Sequence, residues 1–402
     1  MHFCNSTYKL KKVLIGLSGG PDSQALLYFL LKTGLEVGAA HVDHGWRNES
    51  KEEAEQLKAQ VEKLGIPFYL KVLNLNELSG NLEQVCREKR YAFFTEVCDE
   101  FGYEAVFLGH HRDDLAETIL KRILEGASLQ TMGGMEKESF RGHILLLRPF
   151  LEVSKEELLR VVKENNLPHF VDKTNEDTRF LRARMRQDIL PQLSAKFGKS
   201  VKEPLLRLGK ECRELNEFMR ERFQPLLFKK DLDCHLMTSS FELRWVLKEW
   251  LRNLNLYLSY AAINSLVDLI QSKAANKKIP LKDHQIEVDR GRIFIREKPW
   301  KEWKVKVETS LHPEIIGWKE AWNGRLEMLL PEGNFTLRSY FDLDGADKKH
   351  LQKLWSQEKI PAFFREWVPI VTLDGNYFRE FLSSQKRIPS KKPSKKVILY
   401  LE

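Results

Sequence analysis

Cysteine is scarce in this 402-residue chain. The five present (Cys4, Cys86, Cys98, Cys212 and Cys234) are scattered and form no Cys-x-x-Cys pair. That spacing excludes a disulfide framework and a zinc ribbon, and it fits a reducing cytoplasm. No run of about 18 uncharged apolar residues occurs, so no membrane-spanning helix is expected. The stretch from Met1 to Ser6 lacks the apolar core of an export signal. Two common phosphate-binding signatures are missing as well. No Gly-Lys-Ser/Thr follows the glycines near the N-terminus, which excludes a Walker A loop, and Gly16, Gly19 and Gly20 miss the dinucleotide spacing.

What is present is the string Ser18-Gly19-Gly20-Pro21-Asp22-Ser23. The apolar run Lys12 to Leu17 before it has the length of a buried strand, and Gln24 to Leu31 after it suits a helix. A strand, a glycine turn and a helix start thus meet here. Glycines let backbone N–H groups approach a ligand closely, and a helix N-terminus adds free donors and partial positive charge. Ser18 and Ser23 supply hydroxyls, and Pro21 fits the first helical turn. Such a turn holds an anion, most naturally a phosphate chain. A glycine turn with a purely structural role is the alternative.

The next 130 residues alternate strands with helices. Strands are expected at Leu35–Val42, Ile66–Val72, Ala105–Gly109 and Ile144–Leu147; helices are expected at Glu52–Leu64, Asn81–Phe101 and Asp113–Leu124. Ser154 with Glu157 forms a capping box for a further helix reaching Asn165. The alternation implies a mostly parallel sheet covered on both faces, with ligands at the strands' carboxyl ends. Unusual polar residues gather at those ends. The second strand closes on His41-Val42-Asp43-His44-Gly45-Trp46-Arg47. This suits a catalytic carboxylate (Asp43) and an anion-neutralising Arg47, or alternatively a zinc site. The fourth closes on Gly109-His110-His111-Arg112-Asp113-Asp114, with Glu117 on the same helical face. Carboxylates at a helix start serve as caps, or hold Mg²⁺ beside phosphates. A magnesium role is expected for one of Asp113, Asp114 and Glu117. The segment Asp172 to Arg186 reads as a polar loop whose Arg179, Arg182, Arg184 and Arg186 suit phosphate or RNA contact, or a solvated face.

Charge is unevenly spread. Residues 1–150 carry a net charge of −3 and residues 151–402 a net of +11, which suggests a polyanion docking on the latter. Residues from Val201 to Ile279 carry apolar residues at helical spacing. From Trp300 the composition turns β-prone, and Lys386 to Lys396 forms a basic stretch suited to RNA contact or to a solvated loop.

Taken together, S-G-G-P-D-S, H-V-D-H-G-W-R, G-H-H-R-D-D-L-A-E-T, R-P-F-L and D-K-T-N with R-x-R-x-R resemble, in order and spacing, the tRNA(Ile)-lysidine synthetases of the N-type ATP pyrophosphatase superfamily. The likeness is strong over residues 12–195 and resumes weakly over 335–380. Leu115 stands where that family usually has glutamine, and Ala183 where it commonly has asparagine. The resemblance implies an α/β, doubly wound, mostly parallel catalytic domain over residues 1–200 and a helical domain over 201–296. A linker over 297–312 and a C-terminal α+β tRNA-recognition domain over 313–402 would follow. It implies ATP-dependent ligation of free L-lysine onto the wobble cytidine of an isoleucine tRNA with a CAU anticodon, through an adenylated cytidine. The products are lysidine, AMP and pyrophosphate, with Mg²⁺ assisting, and the tRNA passes from methionine to isoleucine identity. In this scheme Ser18 to Ser23 bind ATP and Asp43, His110, Asp113 and Asp114 are catalytic. Arg47, His111, Glu117 and the four arginines hold substrate or tRNA, and Asp22 and Asp114 hold the metal. A tRNA-thiolating ATP pyrophosphatase, a ligase acting on a free metabolite and a non-catalytic RNA-binding protein are the rival readings.

Overall fold

The computed structural model describes residues 9–45, 50–74, 80, 82–170, 181–229, 231–297, 302–308, 318, 324–373, 377–383 and 395–401. Arg47, Arg179 and the basic stretch up to Ser394 lie outside them. Two compact units are present, Met1–Glu217 and Phe218–Glu402.

The first unit alternates as its sequence predicts: β1 (Lys12–Gly16), α1 (Pro21–Leu31), β2 (Glu36–Asp43), α2 (Ser50–Lys63), β3 (Phe68–Val72), α3 (Leu82–Phe101), β4 (Ala105–Leu108) and α4 (Arg112–Leu124). Next come a one-turn α5 (Leu129–Met132), β5 (Glu138–Arg141), β6 (Ile144–Leu147) and α6 (Lys155–Glu164). The strand order is β3-β2-β1-β4-β6-β5. The first five strands in that order run parallel, while β5 pairs antiparallel with β6. The sheet is covered on both sides. Val13, Ile15 and Leu17 pack with α1, α2 and α6, whereas Leu14, Val106 and Leu108 pack with Tyr91, Phe94 and Val97 of α3. Alternate residues of one strand thus point into opposite cores, which is why these strands read as continuous apolar runs. The chain runs outward from β1 through β2 to β3, then returns to β4 on the other side. The carboxyl ends of β1 and β4 therefore border the crevice where a doubly wound sheet takes its ligand.

The expected capping box is present: Ser154 N–H donates to Glu157 Oε2 (2.8 Å) and Glu157 N–H to Ser154 Oγ (3.2 Å). One local expectation fails. The arginine segment is not a loop where it is described, but α7 (Leu181–Arg184), a π-helical turn (Met185–Ile189) and α8 (Leu190–Phe197). Buried Ala183, Met185 and Leu190 anchor this helix, with Met185 and Leu190 packed on Leu120 of α4. Three apolar anchors among so many charges hid the helical period. α9 follows at Lys202–Leu227.

The second unit carries the helices read from its sequence (Ser240–Asn253 and Tyr260–Gln271) and, in addition, a four-stranded antiparallel sheet ending at Glu297. Lys304–Glu308, within the stretch read as a linker, pairs with Lys395–Tyr400. Trp355, Phe363, Phe364 and Phe381, all fully buried, centre a core that also takes in Phe294. Among the described residues no helix is long and apolar enough to cross a membrane.

Candidate active site

The loop after β1 is shaped by its glycines. Gly19 has φ +82°, and a Cβ there would lie 2.7 Å from the Phe170 ring. Phe170 N–H also donates to Gly19 O (3.0 Å), so the ring lies directly on the turn. Gly20 caps α1 in an extended conformation, with no side chain occupying the helix's free N–H groups, and Pro21 opens the helix. Ser18 Oγ lies 3.1 Å from Ser23 Oγ, which also donates to Gly20 O (2.9 Å). The two hydroxyls are therefore held together at a helix N-terminus, an arrangement suited to phosphate oxygens. At the neighbouring strand end, a Cβ on Gly109 would lie 3.2 Å from the Asp22 backbone. A side chain at 109 would require the loops after β1 and β4 to separate by a few tenths of an ångström.

Asp22, in the first turn of α1, receives both its hydrogen bonds from one group. Lys155 Nζ, at the start of α6, is 2.7 Å from each carboxylate oxygen. His111, the buried N-cap of α4, faces three acids. Its Nε2 lies 3.7 Å from Asp22 Oδ2 and 3.4 Å from Asp114 Oδ2, and its Nδ1 lies 3.8 Å from Asp113 Oδ2. Asp113 accepts from the Lys155 backbone N–H (3.0 Å) and from Lys202 Nζ. Burial pushes the Asp113 carboxyl up, yet Lys202 and that N–H outweigh it and hold it below the usual range. Asp114 accepts the His111 backbone N–H (3.0 Å), so its capping role is real. Burial opposes its charge, but Arg182, both histidines and Arg186 prevail and keep it ionised.

The arginines are deployed inward. Arg186 Nε donates to Glu117 Oε1 (2.7 Å) and its Nη2 to Asp114 Oδ1 (2.9 Å). Arg182 Nε donates to Glu117 Oε2 (3.2 Å). Glu117 is only 3% exposed, so this clamp joins α4 to the α7 segment through a buried carboxylate. Arg184 is exposed on the opposite side. Asp43, read as catalytic, is buried and accepts the Gly45 N–H (2.8 Å), so its carboxylate shapes a turn. His41 Nδ1 meets Leu17 O at 2.8 Å, tying β2 to the loop. Leu115 packs with Ile119 and Leu151, and Ala183 is buried. The two departures from the family pattern are therefore apolar positions.

His110 directly follows the strand-end glycine, and burial drives its imidazole well below the ordinary histidine range. Asp114 opposes that effect, while Arg182, Arg90 and Arg148 add to it. Sequence reasoning gave no site role to Lys155, Lys202 or Arg90, and met Arg148 only as the first residue of R-P-F-L. Lys155 and Lys202 lie 133 and 89 residues from the acids they join, so no local spacing announces them. Among the described residues no group of three or more His, Cys, Asp or Glu side chains is arranged to hold a metal by itself. The zinc alternative at His41 to His44 therefore gains nothing. Two carboxylates, Asp22 and Asp114, nevertheless converge within 4 Å of one imidazole nitrogen at the phosphate loop. That suits Mg²⁺, which takes one or two carboxylates and completes its shell with phosphate and water.

A family model described as a PP-loop domain matches residues 1–193. The chain is 32% identical to a tRNA(Ile)-lysidine synthase of Protochlamydia amoebophila, over 96% of this chain and 91% of that one. It is 37% identical to the tRNA(Ile)-lysidine synthase of Chlamydia caviae, over 73% of this chain and 95% of that one. Among solved structures, a U34-tRNA thiolase from Methanococcus maripaludis with its [4Fe-4S] cluster matches at TM-score 0.42 and 19% identity. That match covers 51% of this chain and 72% of the thiolase.

Proposed function

This chain belongs to the tRNA(Ile)-lysidine synthase family, and we propose that it joins free lysine to the wobble cytidine of an isoleucine tRNA with a CAU anticodon. The observation that carries this reading is the meeting of a side-chain-free helix N-terminus, two serine hydroxyls and a cluster of acids at one strand crevice. ATP would lie with its phosphates on Ser18 to Ser23. Its α-phosphorus would be attacked by the cytosine carbonyl oxygen, and pyrophosphate would leave. The lysine ε-amine would then attack the activated ring carbon and expel AMP.

In this scheme Asp22 and Asp114 would hold Mg²⁺, which when bound neutralises phosphate charge. The helix N-terminus and Lys155 provide positive charge where negative charge builds on the phosphates. His110 would take the proton that lysine's ammonium must lose before its amine attacks; its place directly after the β4 glycine supports that role, while burial and the neighbouring arginines disfavour its charged form. Arg182 and Arg186 act chiefly as a clamp on the acids, which leaves Arg184 as the described member of that set placed for RNA. Arg47 and Arg179 remain proposed anion contacts. The domain layout proposed from the sequence, with tRNA recognition in residues 313–402, accompanies this reading, as does a cytoplasmic location.

The thiolating rival is disfavoured by the cysteines themselves. Cys86, Cys98, Cys212 and Cys234 are all buried. Burial pushes the Cys98 thiol up to about 12 and raises those of Cys212 and Cys234 as well. Such thiols are poor nucleophiles. The test is incubation with ATP, labelled lysine and total tRNA. Label entering tRNA supports the reading; sulfide dependence, or pyrophosphate release indifferent to tRNA, would replace it with a rival.

A further inference from the structure

Asp113 stands beside the acids that face the phosphate loop, yet both of its oxygens are taken by protein donors. Oδ1 accepts from Lys202 Nζ, and Oδ2 accepts the Lys155 backbone N–H at 3.0 Å. Lys155 is the first residue of α6, so Asp113 satisfies one of the donors that a helix start leaves free. The Arg112 N–H donates to Val153 O (2.9 Å), which binds the start of α4 to the residue just ahead of the Ser154 cap. From the same Lys155 the side chain reaches Asp22, 2.7 Å from each carboxylate oxygen. A chain of contacts thus runs from Lys202 through Asp113 and the α6 start to the aspartate of the phosphate loop.

Lys202 reaches this chain from a distant element. It is the first residue of α9, the 26-residue helix that continues past Glu217 into the second unit. Its side chain is 44% exposed and that of Asp113 20%, so the pair is worth little as a surface ion pair. Its effect is geometric: with Oδ1 held, the carboxylate cannot turn, and Oδ2 stays on the Lys155 N–H. A second side-chain tie, from Arg112 to Glu203, joins the same two helix starts without passing through Asp113. We propose that Lys202 is a positioning residue for ATP cleavage, acting through Asp113 and the α6 start to aim Lys155 at Asp22. The proposal deepens the ligase reading above and rests on it. Asp113, expected to be catalytic from its motif, then serves the reaction through Lys155 rather than by touching substrate. A small misplacement of the group that faces phosphate charge is enough to slow the step.

The test measures tRNA-dependent pyrophosphate release by the full-length enzyme carrying Lys202→Met, Lys202→Arg, Asp113→Asn, Lys202→Met with Asp113→Asn, or Arg112→Ala. Lys202→Met should lower kcat about 10- to 100-fold, the scale on which a partner that orients a site residue acts, while tRNA retention on filters is unchanged. Lys202→Arg keeps a donor for the carboxylate and should recover most of the rate. Asp113→Asn should cost about as much as Lys202→Met, and the double variant no more than either, because both cut one chain. Arg112→Ala also loosens α9; its urea midpoint should fall as that of Lys202→Met does, while its kcat stays at the wild-type level. A kcat within a few-fold of wild type in Lys202→Met, or losses that multiply in the double variant, would overturn the proposal. An equal loss of kcat in Arg112→Ala would overturn it too, by reducing Lys202 to an anchor for α9. Pyrophosphate released by the wild-type enzyme with no lysine reaching tRNA would fall instead on the ligase reading and leave the chain from Lys202 to Asp22 standing.

Discussion

Lys155 Nζ stands 2.7 Å from both carboxylate oxygens of Asp22, joining positions 133 residues apart in sequence. The pair sets a cation at the mouth of the phosphate loop and aims the aspartate. Replacing Lys155 by Met should lower the rate of tRNA-dependent pyrophosphate release about 100-fold, the scale seen when one preorganised charge-stabilising donor is removed. A rate within a few-fold of wild type would show that Lys155 serves only the fold.

Ser18→Ala and Asp22→Ala act on the loop itself. Both should abolish measurable pyrophosphate release while leaving tRNA binding intact, as judged by filter retention. Release persisting in both variants would remove the loop from the reaction.

Gly109 is a packing requirement with a functional consequence. A Cβ there would lie 3.2 Å from the Asp22 backbone, so Gly109→Ala requires the first turn of α1 to give by a few tenths of an ångström. Overpacking of this kind costs about 1–3 kcal/mol. The expected result is a lowered unfolding midpoint together with a raised KM for ATP. An unchanged KM would mean that the loop tolerates displacement.

The clamp on α4 offers a stability test. Removing Arg186 leaves the nearly buried Glu117 with one arginine instead of two. Because Arg186 is itself partly exposed, the expected loss is about 1–3 kcal/mol rather than the full cost of breaking a buried pair. Combining Arg186→Ala with Glu117→Gln should recover part of that loss in urea unfolding. Strict additivity would mean the two groups do not interact.

His110 gives a pH prediction. Its folded pKa lies well below that of an unfolded histidine, about 6.5, so the unfolded chain binds the proton more readily. The stability linked to this group is therefore complete above about pH 6.5 and is lost as pH falls below it. The His110 ring resonances should stay at their neutral positions between pH 8 and pH 6. Titration near 6.5 would contradict the burial account.

Much of this was legible in the sequence for definite reasons. Apolar runs such as Ala105–Leu108 report strands buried on both faces, and the Ser154–Glu157 spacing reports a helix start. Ser18 to Ser23 and His110 to Asp114 were recognisable because local geometry there demands particular residues. The pairing of Asp22 with Lys155, and of Glu117 with Arg182 and Arg186, was not legible. It depends on which strand ends become neighbours, and no local spacing encodes that. The same cause explains Arg182 and Arg186, whose charges suggested an outward RNA contact while their partners are internal acids. Asp43, read as catalytic beside two histidines, also closes the turn at Gly45 through Oδ1, a contact its spacing did not announce.

The central claim is that ATP cleavage at the glycine loop is spent on attaching lysine to tRNA. Counting pyrophosphate released and labelled lysine incorporated in one reaction, with and without isoleucine tRNA, tests it most directly. One pyrophosphate per lysine attached, and neither without the tRNA, is the predicted result. Pyrophosphate formed with no lysine on the tRNA would contradict it.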